Sequence, residues 1–213
     1  MCGRYFLDMD REPEGPEKLR VILEELNRGE SPLAAQVSLG EVFPSQLAPV
    51  IVAREGGGFT VKPMRWGFPR AGGGGVVINS RSEKAEFTPM FQRAVRERRC
   101  LIPASGFYEW RRSASGGKTK DKFAFLLQDP LPGEMMYLAG LYGLFSGGFA
   151  GGGYDGFAVL TQGADEQMAP YHDRMPVILR EEALKKAWLA APKVPFESLR
   201  ERFAPPPLRV LPA

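Results

Sequence analysis

The glycines of this chain fall in bursts, at 56–58, 72–75, 147–148 and 151–153, and each burst separates short apolar runs. Glycine reaches turn conformations closed to other residues, so a chain punctuated this way reads as a series of hairpins. The intervening runs are rich in Val, Ile and Phe, which suit a pleated, half-buried surface. Strands are expected at Val50–Arg54, Phe59–Pro63, Val76–Asn79, Cys100–Pro103, Phe123–Gln128, Met136–Phe145, Phe157–Gln162 and Val177–Leu179. Helices are fewer. Residues 16–28 place Leu19, Ile22, Leu23 and Leu26 on one stripe, and "TPMFQRAV" opens with Thr88 as N-cap and Pro89 at the first helical position. Further helices are expected at 181–190, with Leu184, Ala187 and Trp188 on one face, and at 195–203, with Phe196, Leu199 and Phe203. No βαβ alternation, internal repeat or dividing linker interrupts the pattern. The expected fold is α+β: one domain over residues 1–213, with a strongly bent, barrel-like antiparallel sheet and peripheral helices.

Composition excludes several classes. At 213 residues, 44% hydrophobic and 25% charged, the chain can bury a substantial core and is not disordered. No run of 18 apolar residues is present, so no membrane helix is expected, and the start lacks a basic segment followed by an apolar one. Two cysteines make no disulfide framework, which points to a reducing, cytoplasmic setting. The net charge of +3 is mild, but Arg93, Arg96, Arg98 and Arg99 cluster, and Arg111, Arg112, Lys118, Lys120 and Lys122 follow. Such clusters can track phosphates, although a solvated helix face explains the first equally well. Cys2, Cys100 and His172 lack the spacing of a zinc site, and no phosphate-binding glycine loop joins a strand to a helix. No metal and no cofactor is expected.

Four stretches carry candidate chemistry. In "MCGR", Cys2 stands directly behind the initial Met, Gly3 permits close approach, and Arg4 supplies a fixed charge. Removing Met1 would leave an α-amine and a thiol on adjacent carbons, both partly nucleophilic at neutral pH. The position could equally be an accident of the start site. In "VVINSRSE", alternation puts Asn79 and Arg81 on one face; polar strand tips explain this as readily. In "CLIPASGFYEWRR", Glu109 lies between Tyr108 and Trp110. It is either exposed by alternation or held in an apolar pocket that would suit a general acid. "PYHDRMPVIL" holds the only histidine, His172, followed by Asp173 and Arg174. A lone histidine is more often structural than catalytic.

Together "MCGR", "INSRSE", "RRCLIPASGFYEW" and "HDRMPVIL", with "MRWGF" and "PSQLAPVIV", resemble the SRAP (SOS-response-associated peptidase) family in order and spacing, from residue 2 to about residue 180. Family members process abasic sites and crosslink to damaged single-stranded DNA. The resemblance implies that Cys2 is the covalent nucleophile, its amine forming a Schiff base with the ring-opened sugar and its thiol closing a thiazolidine. It implies that Asn79 positions the N-terminal end, Glu109 acts as general acid and base, and His172 assists ring opening or elimination. Arg4, Arg81 and Arg174 would hold flanking phosphates, with Trp66 of "MRWGF" also at the DNA. It further implies self-processing ahead of Cys2, a role in the DNA-damage response, abasic single-stranded DNA as partner, a monomer, and no membrane association.

Three departures from the family pattern stand out: Glu41 in "GEVFPSQ" where Asn is common, the shortened "WGFPRAGGGG" lacking a second tryptophan, and Pro89 where some relatives have a basic residue. Two rival readings remain open. One is an N-terminal nucleophile amidohydrolase, whose further glutamine-binding motifs are not found. The other is a non-catalytic single-strand binder using basic loops and aromatic stacking.

Overall fold

The computed structural model describes residues 2–8, 15–112, 120–146 and 153–213. The chain opens with β1 (Tyr5–Leu7) and α1 (Gly15–Arg28), then runs through β2 (Gly40–Val42), β3 (Leu47–Ala53) and β4 (Phe59–Trp66). A small hairpin, β5 (Phe68–Pro69) and β6 (Val76–Val77), leads into β7 (Asn79–Arg81) and α2 (Pro89–Glu97). The long strands β8 (Arg99–Ala104), β9 (Gly106–Arg112), β10 (Lys120–Leu127), β11 (Met136–Phe145) and β12 (Tyr154–Gly163) follow. The chain ends with β13 (Arg174–Pro176), α3 (Glu182–Leu189), α4 (Phe196–Arg200) and β14 (Leu208–Pro212).

Strands β11, β8, β3, β4 and β12 pair in that order, and β12 pairs back onto β11, which closes a barrel. All of these ladders are antiparallel except β4–β12, where Arg65 and Trp66 run parallel to Gly156 and Phe157. Closure removes the exposed edges that a sheet of such apolar strands would otherwise present. A second sheet, β14-β10-β9-β1-β2, leaves the barrel where β8 turns at Ser105 into β9. This is the bent, barrel-like sheet the sequence predicts. β7 lies parallel to β12 on the barrel, and β13 pairs antiparallel with it.

The helices are peripheral. α1 buries Leu19, Ile22 and Leu26 against β3 and β4, with Leu23 partly covered. Each side chain removed from water this way is worth about 1.5–3 kcal/mol. α2 begins at Pro89 as expected, but the Thr88 hydroxyl donates back to the Lys84 carbonyl at 2.8 Å and does not cap the helix. α3 and α4 seat Trp188, whose indole N–H donates to the Cys100 carbonyl at 2.8 Å, beside Phe196 and Phe203.

Strands β1, β2, β5, β9 and β14 are not foreshadowed by the sequence pattern. β1 is only Tyr-Phe-Leu and is buried on both faces, so it shows no alternation. The strand expected at Val177–Leu179 is displaced: the ladder onto β12 uses Arg174–Pro176, and Ile178 makes only an isolated bridge with Leu138. The glycine run 72–75 forms the turn of the β5–β6 hairpin, all four residues having positive φ. The glycines at 147–148 and 151–152 and the basic residue Lys118 lie outside the described residues.

The parallel seam depends on a glycine. A Cβ on Gly156 would stand 2.6 Å from the Gly67 carbonyl oxygen, a backbone atom that cannot move aside. Gly156→Ala is therefore expected to destabilise the fold by about 1–3 kcal/mol, the usual cost of overpacking. Urea unfolding checks this, and an unchanged midpoint would contradict the packing described for the seam.

Candidate functional site

β9 separates two environments. Register pairs Glu109 with Phe123 and Phe107 with Phe125, so Glu109 points to the inner, core side of the sheet. Tyr108 belongs instead to the outer cluster with Phe6, Ala124 and Leu126, against which Trp110 packs. Of the two placements open to Glu109, the structure shows the buried one, at 4% exposure.

Cys2 is fully buried. Its thiol donates to the Arg4 carbonyl at 3.7 Å, and its own carbonyl accepts from the Asn79 Nδ2 at 3.0 Å. Burial, and then the charge of the Glu109 carboxylate, push the Cys2 thiol up to about 12, so it holds its proton at neutral pH. Cys2, Asn79 and Glu109 are thus brought together from β7, β9 and the segment before β1. Asn79 is held there because β7 runs in register with β12 and because Ile78, just before it, accepts the Trp66 indole N–H at 3.0 Å. The Asn79 Oδ1 is buried and accepts no hydrogen bond among the described residues. Cys100 is also buried, with its thiol raised by desolvation alone.

His172 follows Tyr171, whose ring packs edge-on against Phe123 and Phe125, the β10 residues facing Glu109 and Phe107. The His172 Nδ1 lies 3.0 Å from the Arg174 backbone N–H and 2.7 Å from an Asp173 carboxylate oxygen. The two contacts compete. A neutral ring accepts from the backbone and carries its proton on Nε2, whereas an imidazolium donates to Asp173.

The arginines divide. Arg81 is exposed, at the end of β7. Arg4 stands over the Phe43 and Trp110 rings at 4.3 and 5.0 Å, with Glu41 at 3.3 Å from its guanidinium. Arg174 departs from the phosphate role expected of it. Its guanidinium forks onto both Glu83 oxygens at 2.6 and 2.9 Å and donates to the Thr161 carbonyl, so both terminal nitrogens are already engaged, while the Nε is buried and finds no partner among the described residues. It ties the His172 segment to the loop after β7. Trp66 also requires correction: it is fully buried, stacked on Phe157 and edged by Tyr5, so its ring cannot meet DNA. Of the basic cluster, Arg93 forms an exposed helical pair with Glu97, while Arg99 is buried against Trp188 and Phe196. A cavity of about 850 Å³ opens between α1, β4 and the β11–β12 hairpin, and none of the expected site residues lines it.

Sequence reasoning gives Glu83 of "VVINSRSE" no role as the Arg174 anchor, because the partners lie 91 residues apart. It also passes over Tyr5, whose hydroxyl is buried with no hydrogen-bond partner among the described residues. Only the apolar company of "RYFL" hints that Tyr5 is buried.

A sequence model of the SOS response associated peptidase (SRAP) family matches residues 1–211. The chain belongs to the SRAP family. Among its relatives, the abasic site processing protein YoqW of Bacillus subtilis is 31% identical over 199 residues, covering 89% of this chain and 80% of that protein. The abasic site processing protein YoaM of the same organism is 36% identical over 155 residues, covering 70% of this chain and 64% of that protein. YedK of Escherichia coli, bearing the same description, is 26% identical over 191 residues, 89% of this chain and 79% of that protein. The fold is also that of a crystal structure from Bordetella bronchiseptica, with TM-score 0.71 at 22% identity, covering 100% of this chain and 99% of that one. A protein from Bacteroides thetaiotaomicron superposes with TM-score 0.71 at 17% identity, over 99% of this chain and 91% of that one.

In this SRAP domain the Arg174–Glu83 fork carries a pH signature. Partial burial alone would raise the Glu83 carboxyl, but hydrogen bonds and charge from Arg174 hold it below the usual range. A depressed native value means that the fork stabilises the fold above the unfolded value, about 4.3, and ceases to as pH falls through the lower native value. Glu83→Gln is expected to be less stable than wild type at neutral pH, with the gap closing in acid. Urea unfolding of both proteins across that range checks this; a gap independent of pH would contradict it.

Proposed function

We propose that this SRAP-family protein processes abasic sites in single-stranded DNA by a covalent crosslink through Cys2, formed once Met1 has been removed. The observation that carries the reading is the grouping of the buried Cys2 and Glu109 with the half-buried Asn79. The shared description of its relatives as abasic site processing proteins supports the choice of substrate.

An abasic sugar equilibrates with a ring-opened aldehyde. His172 assists that opening by moving a proton between the anomeric hydroxyl and the ring oxygen. The α-amine of Cys2 adds to the aldehyde carbon, and loss of one water gives the imine. Glu109 takes the proton that the amine releases on adding and returns it to the hydroxyl as it departs. The thiol sulfur then adds to the imine carbon, its proton passes through Glu109 to the nitrogen, and a thiazolidine closes. Only an N-terminal cysteine carries both nucleophiles on adjacent carbons. A thiol that remains protonated at neutral pH favours this order, since the sulfur attacks only when a base beside it takes the proton. Asn79 contributes on both sides of its amide: Nδ2 holds the Cys2 carbonyl, and the open Oδ1 is a ready acceptor for the α-amine. Insertion of the damaged sugar among these groups costs less than flipping an intact nucleotide, because no base must be unstacked.

Arg4 and Arg81 would hold the flanking phosphates, while Arg174 acts as a positioning residue through Glu83. Removal of residues ahead of Cys2 by the protein itself accounts for the family's peptidase label. Abstraction of a proton from the carbon next to the imine carbon, with expulsion of the phosphate from the carbon beyond it, would give strand cleavage, a lyase outcome that starts from the same imine.

Two variants test this reading on an abasic single-stranded oligonucleotide. Cys2→Ala keeps an amine but cannot close the ring, so it should lose the heat-stable adduct while retaining an imine trappable by borohydride. Glu109→Gln should slow formation and reversal of the adduct together, by about a hundredfold or more. A heat-stable adduct from Cys2→Ala would exclude the thiazolidine. Unchanged chemistry on bound DNA in Glu109→Gln would make that carboxylate structural.

A further inference from the structure

Glu41 is the residue on which this chain departs from the family pattern beside the site, and its surroundings show what it does. β1 pairs with β2 so that Phe6 faces Glu41, which places Glu41 on the outer side of the second sheet, with Tyr108 and away from Glu109. From there its carboxylate bridges two cations. One oxygen lies 3.3 Å from the Arg4 guanidinium and the other accepts from the Lys122 Nζ. Both cations also sit on aromatic faces. Arg4 covers the rings of Phe43 and Trp110, and Lys122 lies 3.7 Å from the centroid of Tyr108. The side chains of Arg4, Lys122 and Glu41 are 30%, 22% and 33% exposed, so the patch is open to solvent.

The chemistry of this patch fits an anion with two acceptor oxygens, flanked by planar groups. A phosphodiester with unstacked neighbouring bases has that form, and only a single strand offers its bases to rings beside the phosphate. A carboxylate presents the same pair of oxygens and the same unit charge. We propose that Glu41 is a built-in competitor for a phosphate of single-stranded DNA, occupying the Arg4–Lys122 bridge until a strand displaces it. The proposal rests on the single-stranded DNA reading above and adds a specificity device to it. Intact strands are held weakly, because each must first break two partly buried ion pairs. An abasic strand is retained because the covalent bond, not the phosphate contacts, makes capture long-lived.

The test uses the full chain and an undamaged single-stranded oligonucleotide, with binding followed by fluorescence anisotropy across a salt series. Glu41→Gln and Glu41→Asn should bind about three- to tenfold more tightly than wild type at low salt, the range expected from releasing two partly exposed pairs. Their log–log salt slopes should be steeper by about 0.7 for each additional phosphate that the freed cations neutralise. Glu197→Gln, the same charge change on α4, should leave both quantities at the wild-type value. In an Arg4→Gln/Lys122→Gln background, Glu41→Gln should have no effect, and thermal unfolding of each variant verifies folding. Equal or weaker binding by the two Glu41 variants with an unchanged slope would overturn the proposal. So would a Glu41→Gln increase in affinity that survives without Arg4 and Lys122. Crosslinking of an abasic oligonucleotide in the same buffer separates the two levels. Wild type that crosslinks while Glu41 has no influence sinks the competitor alone; wild type that neither binds nor crosslinks sinks the DNA reading with it.

Discussion

The indole of Trp66 is where the barrel, the first strand and the Asn79 strand are fixed against one another. Its ring stacks on Phe157 at 6.2 Å across the parallel seam, and Tyr5 meets it edge-on at 5.1 Å. Its N–H donates to the Ile78 carbonyl, one residue before Asn79. A buried indole N–H needs a partner, and here that partner is the backbone leading into β7. The contact through Tyr5 sets β1, and hence the segment carrying Cys2; the contact through Ile78 sets Asn79. The grouping of Cys2 with Asn79 is therefore a consequence of how the barrel core packs around one side chain.

β9 distributes the chemistry between two faces. Inside, Glu109 sits in a water-poor environment close enough to Cys2 to disfavour its thiolate. Outside, Tyr108 and Trp110 carry the cations Lys122 and Arg4. The alternation of β9 thus puts the Glu109 carboxylate on one face and the aromatic seats of the two cations on the other, at the spacing of a pleat. The Arg174–Glu83 fork performs the corresponding service on the other flank, joining the His172 segment to the loop after β7. Each task thus rests on regular structure or on an ion pair anchored to it, which suits a site needing fixed geometry.

Much of this is legible in the sequence, and the physical reason is the same in each case. α1 shows because a one-sided helix writes a 3.6-residue stripe, and β11 shows because Met136–Phe145 is a long apolar run bounded by turn residues. β9 does not show, because both of its faces are covered by aromatics, leaving no alternation to read. The expectation of Trp66 at the DNA fails for a related reason: "MRWGF" says that a tryptophan stands there, but not which side of the sheet it faces. The grouping of Cys2, Asn79 and Glu109 is legible only through the family resemblance, since residues so distant in the chain leave no local pattern. Arg174 shows the limit of that route as well. The motif names the arginine, and only the folded chain shows that Glu83 already occupies it.

The central claim is that the α-amine of Cys2 becomes bonded to the abasic sugar. Intact mass spectrometry of the purified protein–DNA adduct, followed by sequencing of the crosslinked peptide, tests it most directly. The account predicts an adduct equal to the chain without Met1 plus the abasic oligonucleotide less one water, with the bond at Cys2. An adduct that retains Met1, or a bond at any other residue, would contradict it.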